Sequence, residues 1–412
     1  MKGSQCTLFA DTARFEGSEK IHYLEAKARL AEDLLQTFPQ IERSEVEAIV
    51  GHWMQSPQSD IPYTNRAVRE LCDISINGKR IAGKRAGANV CWDDVPFPPA
   101  PKHKFTFIDL FAGIGGFRIA MQSVGGRCLF SSEWDSAAKK TYESNFGEVP
   151  FGDIRKIPEM EIAKHDVLCA GFPCQPFSLA GVSARNSLDS AHGFACETQG
   201  TLFFDIARII EAKKPKIVFL ENVKNLVGHD GGKTFSVIRK SIRDLGYSFN
   251  YKLIDASSLV PQKRVRCYIV CIRGGKQEFK FPEFGGEPLP LKSILEKRVD
   301  ERFTISSKLW EGHQARTSRN LARGTGFTAF CADINKPSNT IVARYGKDGK
   351  ECLIPQHRKN PRMLTPRECA RLQGFPEIFR IPNAKTTAYR QFGNSVAVPV
   401  VQRIAERISQ QI

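Results

Sequence analysis

The feature that most restricts the fold of this chain is a repeated alternation between residues 105 and 272. Short apolar runs end in Gly, Asp or Glu, and each is followed by apolar residues at helical spacing. The runs cover residues 105–111, 126–132, 167–171, 217–221, 251–254 and 266–272. Alternating strands and helices predict an α/β domain with a mostly parallel, Rossmann-like sheet and helices on both faces. Such sheets bind ligands beyond the carboxyl ends of their strands, so functional residues are expected just after each run.

The segments on either side of this alternation have different patterns. Residues 23–54 have helical spacing with a break at Pro39, a second short helix is expected at 64–72, and a Pro-rich linker follows at 96–101. After residue 272 the alternation stops, and Gly and Pro recur among basic residues. We therefore expect a helical extension (1–100), a strand-and-helix domain (101–272), a smaller loop-rich domain (273–360) and C-terminal helices that return to the strand-and-helix domain (361–412).

The charge of the chain gives a first indication of its partner. The sequence has 60 Lys plus Arg and 44 Asp plus Glu, a net charge of +16. Residues 273–360 hold 17 Lys plus Arg and 10 Asp plus Glu, so part of the excess lies in the loop-rich domain. An excess of this kind fits either a solvated surface or a surface that binds a polyanion such as nucleic acid.

Composition also excludes several classes of protein. The 12 Cys include no Cys-x-x-Cys pair and no Cys/His cluster at zinc spacing, so no metal is expected. No run approaches the roughly 18 apolar residues of a membrane span, and the first residues lack the pattern of a secretory signal. We expect a cytoplasmic protein that does not contact a membrane.

Three strand ends carry residues suited to a nucleoside-bearing cofactor. The first run leads into the turn Gly113-Ile114-Gly115-Gly116, which allows backbone to approach a ligand closely. Glu133 follows the second run and can accept from both hydroxyls of a ribose, and Asp153 lies at a third strand end, where it can accept from an exocyclic amine. Each acid could instead be a simple helix cap.

A second set of strand-end residues is suited to covalent chemistry. Cys174 stands between Pro173 and Gln175-Pro176, which predicts a thiol held at a rigid turn rather than in a core. Glu221 follows the next run and supplies an acid at the same edge of the sheet. Alternation predicts that Arg264 and Arg266 share one face, where two guanidiniums would lower the pKa of the thiol and bind an acceptor-rich substrate.

The ordered motifs resemble those of the DNA (cytosine-5)-methyltransferases. The resemblance covers residues 105–412, and residues 171–204 are similar to those of bacterial enzymes that modify CC(A/T)GG or CCNGG sites. The matching segments are Phe107 to Gly116, Pro173-Cys-Gln175, Glu221-Asn-Val223, Gln262-Lys-Arg-Val-Arg266, Arg367-Glu-Cys-Ala-Arg371 with Gly374-Phe-Pro376, and Gln391-Phe-Gly-Asn-Ser395.

The resemblance implies S-adenosyl-L-methionine as cofactor, with S-adenosyl-L-homocysteine as product. Phe111 would pack on the adenine, residues 113–116 would pass the methionine moiety, and Glu133 would hold the ribose. Asp153 would bond the adenine amine. The other residues implied at this site are Trp134 and Ile154 beside the adenine, and Asn394 and Ser395 from near the carboxyl end.

The resemblance also implies the reaction and its substrate. A cytosine flipped from double-stranded DNA would be attacked at C6 by Cys174, while Glu221 would engage N3 and the amine and Arg266 would hold O2. Residues 175–200 would form a lid. The loop-rich domain would choose the sequence, and a strand and turn at 340–349 is expected to read guanine. The expected DNA contacts are Gln175, Ser178, Arg344, Tyr345 and Lys347.

Other classes of protein remain open from the sequence. A tRNA cytosine-5 methyltransferase would share the same catalytic domain, and a DNA-binding regulator without catalysis would share the charge. A nicotinamide-dependent oxidoreductase would share the glycine turn and Glu133, but it would leave Cys174 unexplained. For residues 1–100, which contain no convincing helix-turn-helix, we expect bracing or nonspecific DNA contact. We also expect a monomer, associated with the bacterial nucleoid when bound to DNA. The enzyme would either belong to a restriction-modification system, with a cognate restriction endonuclease acting on the same site without stable contact, or be an orphan counterpart without one.

Overall fold

The computed structural model describes residues 21–56, 74–76, 79–81, 90–173, 202–275, 278–324, 328–329 and 331–412. The strands are β1 (Ile21–His22), β2 (Ile74–Ile76), β3 (Lys79–Ile81), β4 (Val90–Cys91), β5 (Phe105–Leu110), β6 (Gly126–Ser132), β7 (Val167–Gly171), β8 (Ile217–Val223), β9 (Asn250–Asp255), β10 (Val265–Ile272), β11 (Ile354–Gln356) and β12 (Lys359–Arg362). The helices are α1 (Tyr23–Thr37), α2 (Arg43–Gln55), α3 (Gly116–Ser123), α4 (Ser136–Phe146), α5 (Leu202–Lys213), α6 (Lys233–Asp244), α7 (Ser307–Ala322), α8 (Tyr345–Asp348), α9 (Pro366–Leu372), α10 (Lys385–Asn394) and α11 (Val398–Ser409).

The largest sheet of the described residues has six strands in the order β6-β5-β7-β8-β10-β9. Strand β5 pairs in parallel with both β6 and β7, and β7 pairs in parallel with β8. The predicted apolar runs coincide with these strands to within two residues at each end. Because the chain adds β6 on one side of β5 and β7 on the other, the order reverses at β5, and a ligand crevice is expected at its carboxyl end.

The central strands of the sheet are mostly apolar because both of their faces are covered. In β5, for example, Phe107, Ile108 and Leu110 are fully buried. The cluster that contains Ile108 and Leu110 extends to α5 and α6 through residues such as Ile209 and Ile238. Burial on both sides is typical of a doubly wound α/β fold, as the alternation predicted.

Helices α1 and α2 belong to the same hydrophobic core as the sheet. The predicted helical segment is confirmed, and its break falls at the turn that follows Thr37. Tyr23 at the start of α1 donates a hydrogen bond to the carbonyl of Gly147 at 3.1 Å and stacks on Trp92 with 4.1 Å between ring centroids. The short helix expected at 64–72 lies outside the described residues. Helices α1 and α2 are therefore part of the folded core.

The chain divides into two compact units. The first takes in the chain up to Lys252 together with Cys267–Lys280 and Glu406–Ile412, and the second comprises Leu253–Arg266 and Phe281–Ala405. The four-part division expected from the sequence remains a prediction. Among the described residues, no helix is both long and apolar enough to span a bilayer.

The second unit is held together by a buried ion pair at the start of α9. Thr365 caps this helix in a capping box with Glu368, and Pro366 occupies the first turn, as the sequence predicts. Arg362 donates to both oxygens of Glu368, at 2.7 and 2.9 Å. Glu368 also accepts from the backbone N–H of Glu296 at 2.8 Å. The capped helix thus joins distant parts of this unit.

Candidate functional site

The turn after β5 has an unusual backbone. Phe111, Gly113 and Gly115 all have left-handed φ angles, of 55°, 56° and 87°. Phe111 takes this conformation although it carries a side chain, which is uncommon and marks a functional site or a turn. A Cβ added to Gly115 would lie 2.1 Å from the ring of Phe146, whereas one added to Gly113 would meet nothing within 4 Å. Gly115 is therefore needed for packing, and Gly113 leaves open space beside the turn.

Glu133, at the end of β6, is tied to this turn by its carboxylate. One oxygen accepts from the backbone N–H of Gly113 and the other from that of Asp135, both at 2.8 Å. Burial raises the pKa of Glu133, and the two backbone donors partly offset the effect. Next to it, the ring of Trp134 is 76% exposed. The strand end thus presents a fixed carboxylate beside an uncovered aromatic surface.

A third segment lies beside the end of β6, where Phe151 forms an isolated parallel bridge with Ser132. Phe151 donates to the carbonyl of Ser131 and accepts from Glu133 N–H, both at 2.9 Å. Asp153 follows, caps the short 3-10 helix that begins at buried Ile154, and accepts two hydrogen bonds from Arg155 Nε at 2.9 Å. These bonds to Arg155 hold the pKa of Asp153 below its usual value.

The three segments form a cradle with the donors and acceptors of a nucleoside site. Gly113 provides free space, Trp134 is largely exposed, and the Glu133 carboxylate provides acceptors at the strand end. Asp153 adds a second carboxylate on the segment that bridges this strand end at Phe151. Helix α3 begins at Gly116 and points its free amide end at the turn. The residues present therefore fit a cofactor that carries a purine and a ribose. Ile114, also expected at this site, is buried.

Glu221 and Asn222, at the end of β8, lie beside the end of β7. Glu221 is paired with Gly171, and a Cβ on Gly171 would lie 3.7 Å from the Glu221 carboxylate. Asn222 donates to the carbonyl of Phe172 at 2.9 Å. The chain leaving β7 is thus anchored two residues before position 174. Cys174 itself, with Gln175 and Ser178, lies outside the described residues, so the predicted thiol site is described only up to Pro173.

Arg264 differs from its prediction. Its guanidinium is buried and donates to the carbonyls of Ile341 at 3.2 Å, Gly393 at 3.3 Å and Ser395. Strand β10 begins only at Val265, so the alternation that put Arg264 and Arg266 on one face does not extend back to Arg264. Arg264 therefore organises backbone within the second unit, and Arg266 remains the partly exposed arginine of this pair.

Asn394 and Ser395 lie at the end of α10 in the second unit. A Cβ on the preceding Gly393 would lie only 2.3 Å from the backbone carbon of Val342, so glycine is required there for two backbones to meet. Ser395 accepts from Arg264 through its carbonyl. The motif that contains Asn394 is thus locked to the segment at 341–343, while its role in cofactor binding remains a prediction.

The expected strand at 340–349 is wrong, because the short helix α8 occupies part of this segment. Tyr345 is fully buried, donates to the carbonyl of Cys352 at 2.7 Å and accepts from Leu364 N–H at 2.8 Å. A side chain in this position belongs to the core and cannot contact DNA. Arg344 and Lys347 are exposed, and the Arg344 guanidinium lies 3.6 Å from Glu351.

Several residues around the cradle were not found from the sequence. Arg118 and Glu148 form a fully buried ion pair at 2.6 Å, and His52 lies 2.9 Å from the same carboxylate. Asp109, in the middle of β5, is buried, and neither of its carboxyl oxygens has a hydrogen-bond partner among the described residues. The only sequence signal was the presence of charged residues inside otherwise apolar segments, which does not identify their partners.

The fold and the residues at the strand ends are typical of an α/β enzyme with a nucleoside-bearing cofactor. Comparison with known proteins identifies the family. The family described as C-5 cytosine-specific DNA methylase matches residues 105–410. The type II methyltransferase M.SsoII of Shigella sonnei is 49% identical over 325 residues, 77% of this chain and 83% of that protein. The type II methyltransferase M1.ScrFI of Lactococcus lactis subsp. cremoris is 45% identical over 367 residues, 84% of this chain and 92% of that protein.

The chain belongs to the C-5 cytosine-specific DNA methylase family and is a DNA (cytosine-5)-methyltransferase that uses S-adenosylmethionine. Solved structures confirm the expected fold. A DNMT2 variant of Spodoptera frugiperda has a TM-score of 0.58 and 20% identity over 74% of this chain and 99% of that chain. S. pombe Dnmt2 has a TM-score of 0.55 and 19% identity over 73% of this chain and 96% of that chain.

Proposed function

We propose that this enzyme methylates a cytosine flipped from double-stranded DNA, using Cys174 as the nucleophile, at a CCNGG or CC(A/T)GG site. The observation that carries the proposal is the pairing of Glu221 with Gly171 and the anchoring of Phe172 by Asn222. These contacts hold the backbone that leads to Cys174 beside an acidic side chain. The two type II methyltransferases that are similar over most of this chain support the same reaction.

The cradle is proposed to bind S-adenosylmethionine, which supplies a methyl group on a sulfonium when bound. Glu133 would accept from the two ribose hydroxyls, Phe111 would pack on the adenine, and Trp134 and Ile154 would line the rest of the adenine site. Asp153 accepts from the adenine amine, which requires Arg155 to release one carboxylate oxygen. The turn at 113–116 passes the methionine moiety, and Asn394 with Ser395 completes the site.

Cytosine C5 is too weak a nucleophile to take the methyl group directly, so the ring must first be activated. The Cys174 thiolate forms a bond to C6, and the ring electrons move to C5, which then takes the methyl group. Loss of the C5 proton restores the double bond and expels the thiolate. Glu221 stabilises the charge at N3 and the amine, and Arg266 holds O2. Arg264 positions backbone and contacts no substrate.

A covalent trap tests the nucleophile. Duplex DNA with 5-fluorocytosine at the target position has no C5 proton to lose, so the wild-type enzyme should form a stable adduct after one methyl transfer. Cys174→Ala should form none, while retaining affinity for S-adenosylhomocysteine within about threefold. No adduct with the wild type, or an adduct of unchanged yield with Cys174→Ala, would reject the proposed nucleophile.

The second unit is proposed to read the sequence, with Gln175 and Ser178 of the lid adding contacts to the flipped site. The support is the exposure of Arg344 and Lys347 on and beside α8. If Arg344 reads guanine, Arg344→Ala should relax sequence choice, whereas Lys347→Ala at a phosphate should weaken binding to all sequences equally. Bisulfite sequencing of DNA from cells expressing each variant measures both the site and its relaxation. Uniform loss in Arg344→Ala would reject direct reading.

The remaining proposals concern the oligomeric state of the enzyme, its location in the cell and a partner endonuclease. We propose a monomer in the bacterial cytoplasm that associates with the nucleoid when bound to DNA. A cognate restriction endonuclease would act on the same site without stable contact. The names of the related type II methyltransferases support the proposed pairing with a restriction endonuclease. Sedimentation of the purified protein alone and with duplex DNA tests the monomer, and cleavage of unmethylated but not methylated DNA by an extract of the source cell tests the endonuclease.

A further inference from the structure

Two polar residues of the helical extension enter the interior of the cofactor-binding unit. His52 and Gln55 lie in the last turn of α2, where they are 1% and 2% exposed. The matching family begins only at residue 105, so both residues precede it. A helix that merely covered a core would place apolar side chains at such positions, because a buried polar group costs free energy unless it is hydrogen-bonded.

Both residues complete the surroundings of the buried Arg118–Glu148 ion pair. The Gln55 carbonyl oxygen accepts from Arg118, and its amide donates to the carbonyl of Phe146 at 2.7 Å. His52 Nε2 lies 2.9 Å from the Glu148 carboxylate and accepts from the backbone N–H of Ser131 at 3.0 Å. A buried ion pair is favourable only when its other donors and acceptors are hydrogen-bonded. Gln55 supplies an acceptor for Arg118, whereas the second oxygen of Glu148 has no hydrogen-bond partner among the described residues.

The ion pair connects the three segments that form the cradle. Arg118 is the third residue of α3, which begins at the glycine turn. Glu148 accepts from Ser131 Oγ at 2.8 Å, and Ser131 precedes Glu133 by two residues. The ring of His52 lies 4.7 Å from that of Phe151, centroid to centroid, on the segment that leads to Asp153. Displacement of His52 or Gln55 would therefore shift the positions of all three segments.

We propose that His52 and Gln55 are positioning residues for the cofactor site, so that the extension is an integral part of S-adenosylmethionine binding. This inference rests on the proposed cofactor site in the cradle. His52 fixes the end of β6 through Ser131, and Gln55 fixes the start of α3 through Arg118. Neither residue touches the cofactor. They set the spacing between the glycine turn and the Glu133 carboxylate.

The test measures S-adenosylhomocysteine affinity by calorimetry, duplex DNA affinity by fluorescence anisotropy and unfolding temperature for each variant. Gln55→Met keeps the side-chain volume but removes the hydrogen bonds to Arg118, to the Phe146 carbonyl and to the Tyr23 hydroxyl. We expect it to raise the Kd for S-adenosylhomocysteine at least tenfold and the KM for S-adenosylmethionine in parallel. DNA affinity should stay within twofold and kcat at saturating cofactor within threefold. His52→Ala should act in the same direction.

Two controls separate positioning from lost stability. Val46→Ala removes buried apolar volume from the same helix, and valine has no polar side-chain group that could hydrogen-bond the ion pair. This variant should therefore lower the unfolding temperature without changing the Kd for S-adenosylhomocysteine. Gln55→Glu keeps an acceptor for Arg118 and loses the amide donor, so it should recover part of the affinity that Gln55→Met loses. His52→Ala serves as the loss-of-affinity variant if Gln55→Met does not fold. Equal Kd changes in Gln55→Met and Val46→Ala, or none in either Gln55 variant, would overturn the inference.

A third variant distinguishes this inference from the proposed function. Glu133→Gln should weaken S-adenosylhomocysteine binding directly, because the ribose acceptor is altered. If Glu133→Gln binds normally, the cofactor site is wrongly placed and the proposed function fails at that point. If Glu133→Gln binds weakly and Gln55→Met binds normally, the site stands and the positioning role is rejected.

Discussion

At the residue scale, the two glycines of the first turn serve different purposes. Gly113→Ala introduces a side chain into open space, so the cost to folding is the strain of a left-handed φ, about 1 kcal/mol. Its Cβ occupies space proposed for the cofactor, and we expect at least a tenfold loss of S-adenosylhomocysteine affinity. Denaturant unfolding and calorimetry on the same variant measure both effects. Full affinity in Gly113→Ala would show that the open space is not used.

Gly115→Ala should lower the free energy of unfolding more than it lowers cofactor affinity. The left-handed φ and the 2.1 Å approach to the Phe146 ring together cost about 3 kcal/mol of folding free energy. Denaturant unfolding should show this loss directly, with a lower midpoint and an unchanged slope. A loss below about 1 kcal/mol would mean that the Phe146 ring moves aside. The pair of variants thus separates a glycine needed for packing from one needed for a ligand.

Asp109 gives a pH dependence with a definite sign. Burial raises the pKa of its carboxyl well above the usual value, so the folded protein keeps a proton that the unfolded chain releases above about pH 4. Stability from this group is therefore present at low pH and is lost as pH rises towards the raised pKa. Relative to Asp109→Asn, the wild type should lose up to about 1.4 kcal/mol per pH unit in that window.

The measurement is denaturant unfolding of both proteins from pH 5 to pH 8. The difference between their unfolding free energies isolates Asp109, because the other titratable groups are shared. A constant difference across this range would show that Asp109 is ionised in the folded protein. Its oxygens have no hydrogen-bond partner among the described residues, which makes the protonated form the less costly one to bury.

At the scale of elements, Asn222 links two neighbouring strand ends. Asn222→Ala removes the hydrogen bond to Phe172, which should cost about 1 kcal/mol of stability. The larger effect should be on kcat, because the backbone before Cys174 loses its anchor; we expect about a tenfold decrease with cofactor affinity unchanged. Single-turnover methylation and calorimetry measure the two quantities.

Thr365→Ala provides the matched control for Asn222. It removes the cap of α9, which should cost about 1 kcal/mol as well. Its single-turnover rate should stay near that of the wild type, since the described hydrogen bonds of Thr365 go to Glu368 and Glu296 and not to Glu221 or Arg266. If both variants lower the rate equally, the effect of Asn222→Ala reflects stability and the anchoring role is wrong.

At the scale of the whole molecule, the net charge of +16 predicts steeply salt-dependent DNA binding. A plot of log affinity against log salt concentration should be linear, with a slope of about −0.9 for each phosphate neutralised. For an enzyme that covers a short duplex we expect a slope of about −5 or steeper. A slope between 0 and −2 would show that most of the charge is solvated surface. Cofactor affinity should change little over the same salt range.

The sequence predicted the elements of the first unit well, because burial on both faces of a parallel sheet leaves continuous apolar runs that are visible without a structure. The sequence predicted the elements and the buried residues of the second unit less well. Tyr345 and Arg264 were expected to contact DNA or substrate, yet both side chains are buried and donate to backbone carbonyls, Tyr345 to that of Cys352 and Arg264 to that of Ile341, which is distant in sequence. The helix α8 replaced an expected strand because a four-residue turn of helix carries too little periodicity to be recognised.

The sequence by itself determined the order of strands and helices, the residues at the strand ends and the family to which the chain belongs. These depend on local spacing and on motifs read in order. Only the tertiary structure decided that His52 and Gln55 meet Arg118 and Glu148, and that Arg264 serves backbone carbonyls. Such partners are brought together by the packing of whole elements, and the energy of burying a charge then selects them. The spacing of residues along the chain therefore does not predict these partners.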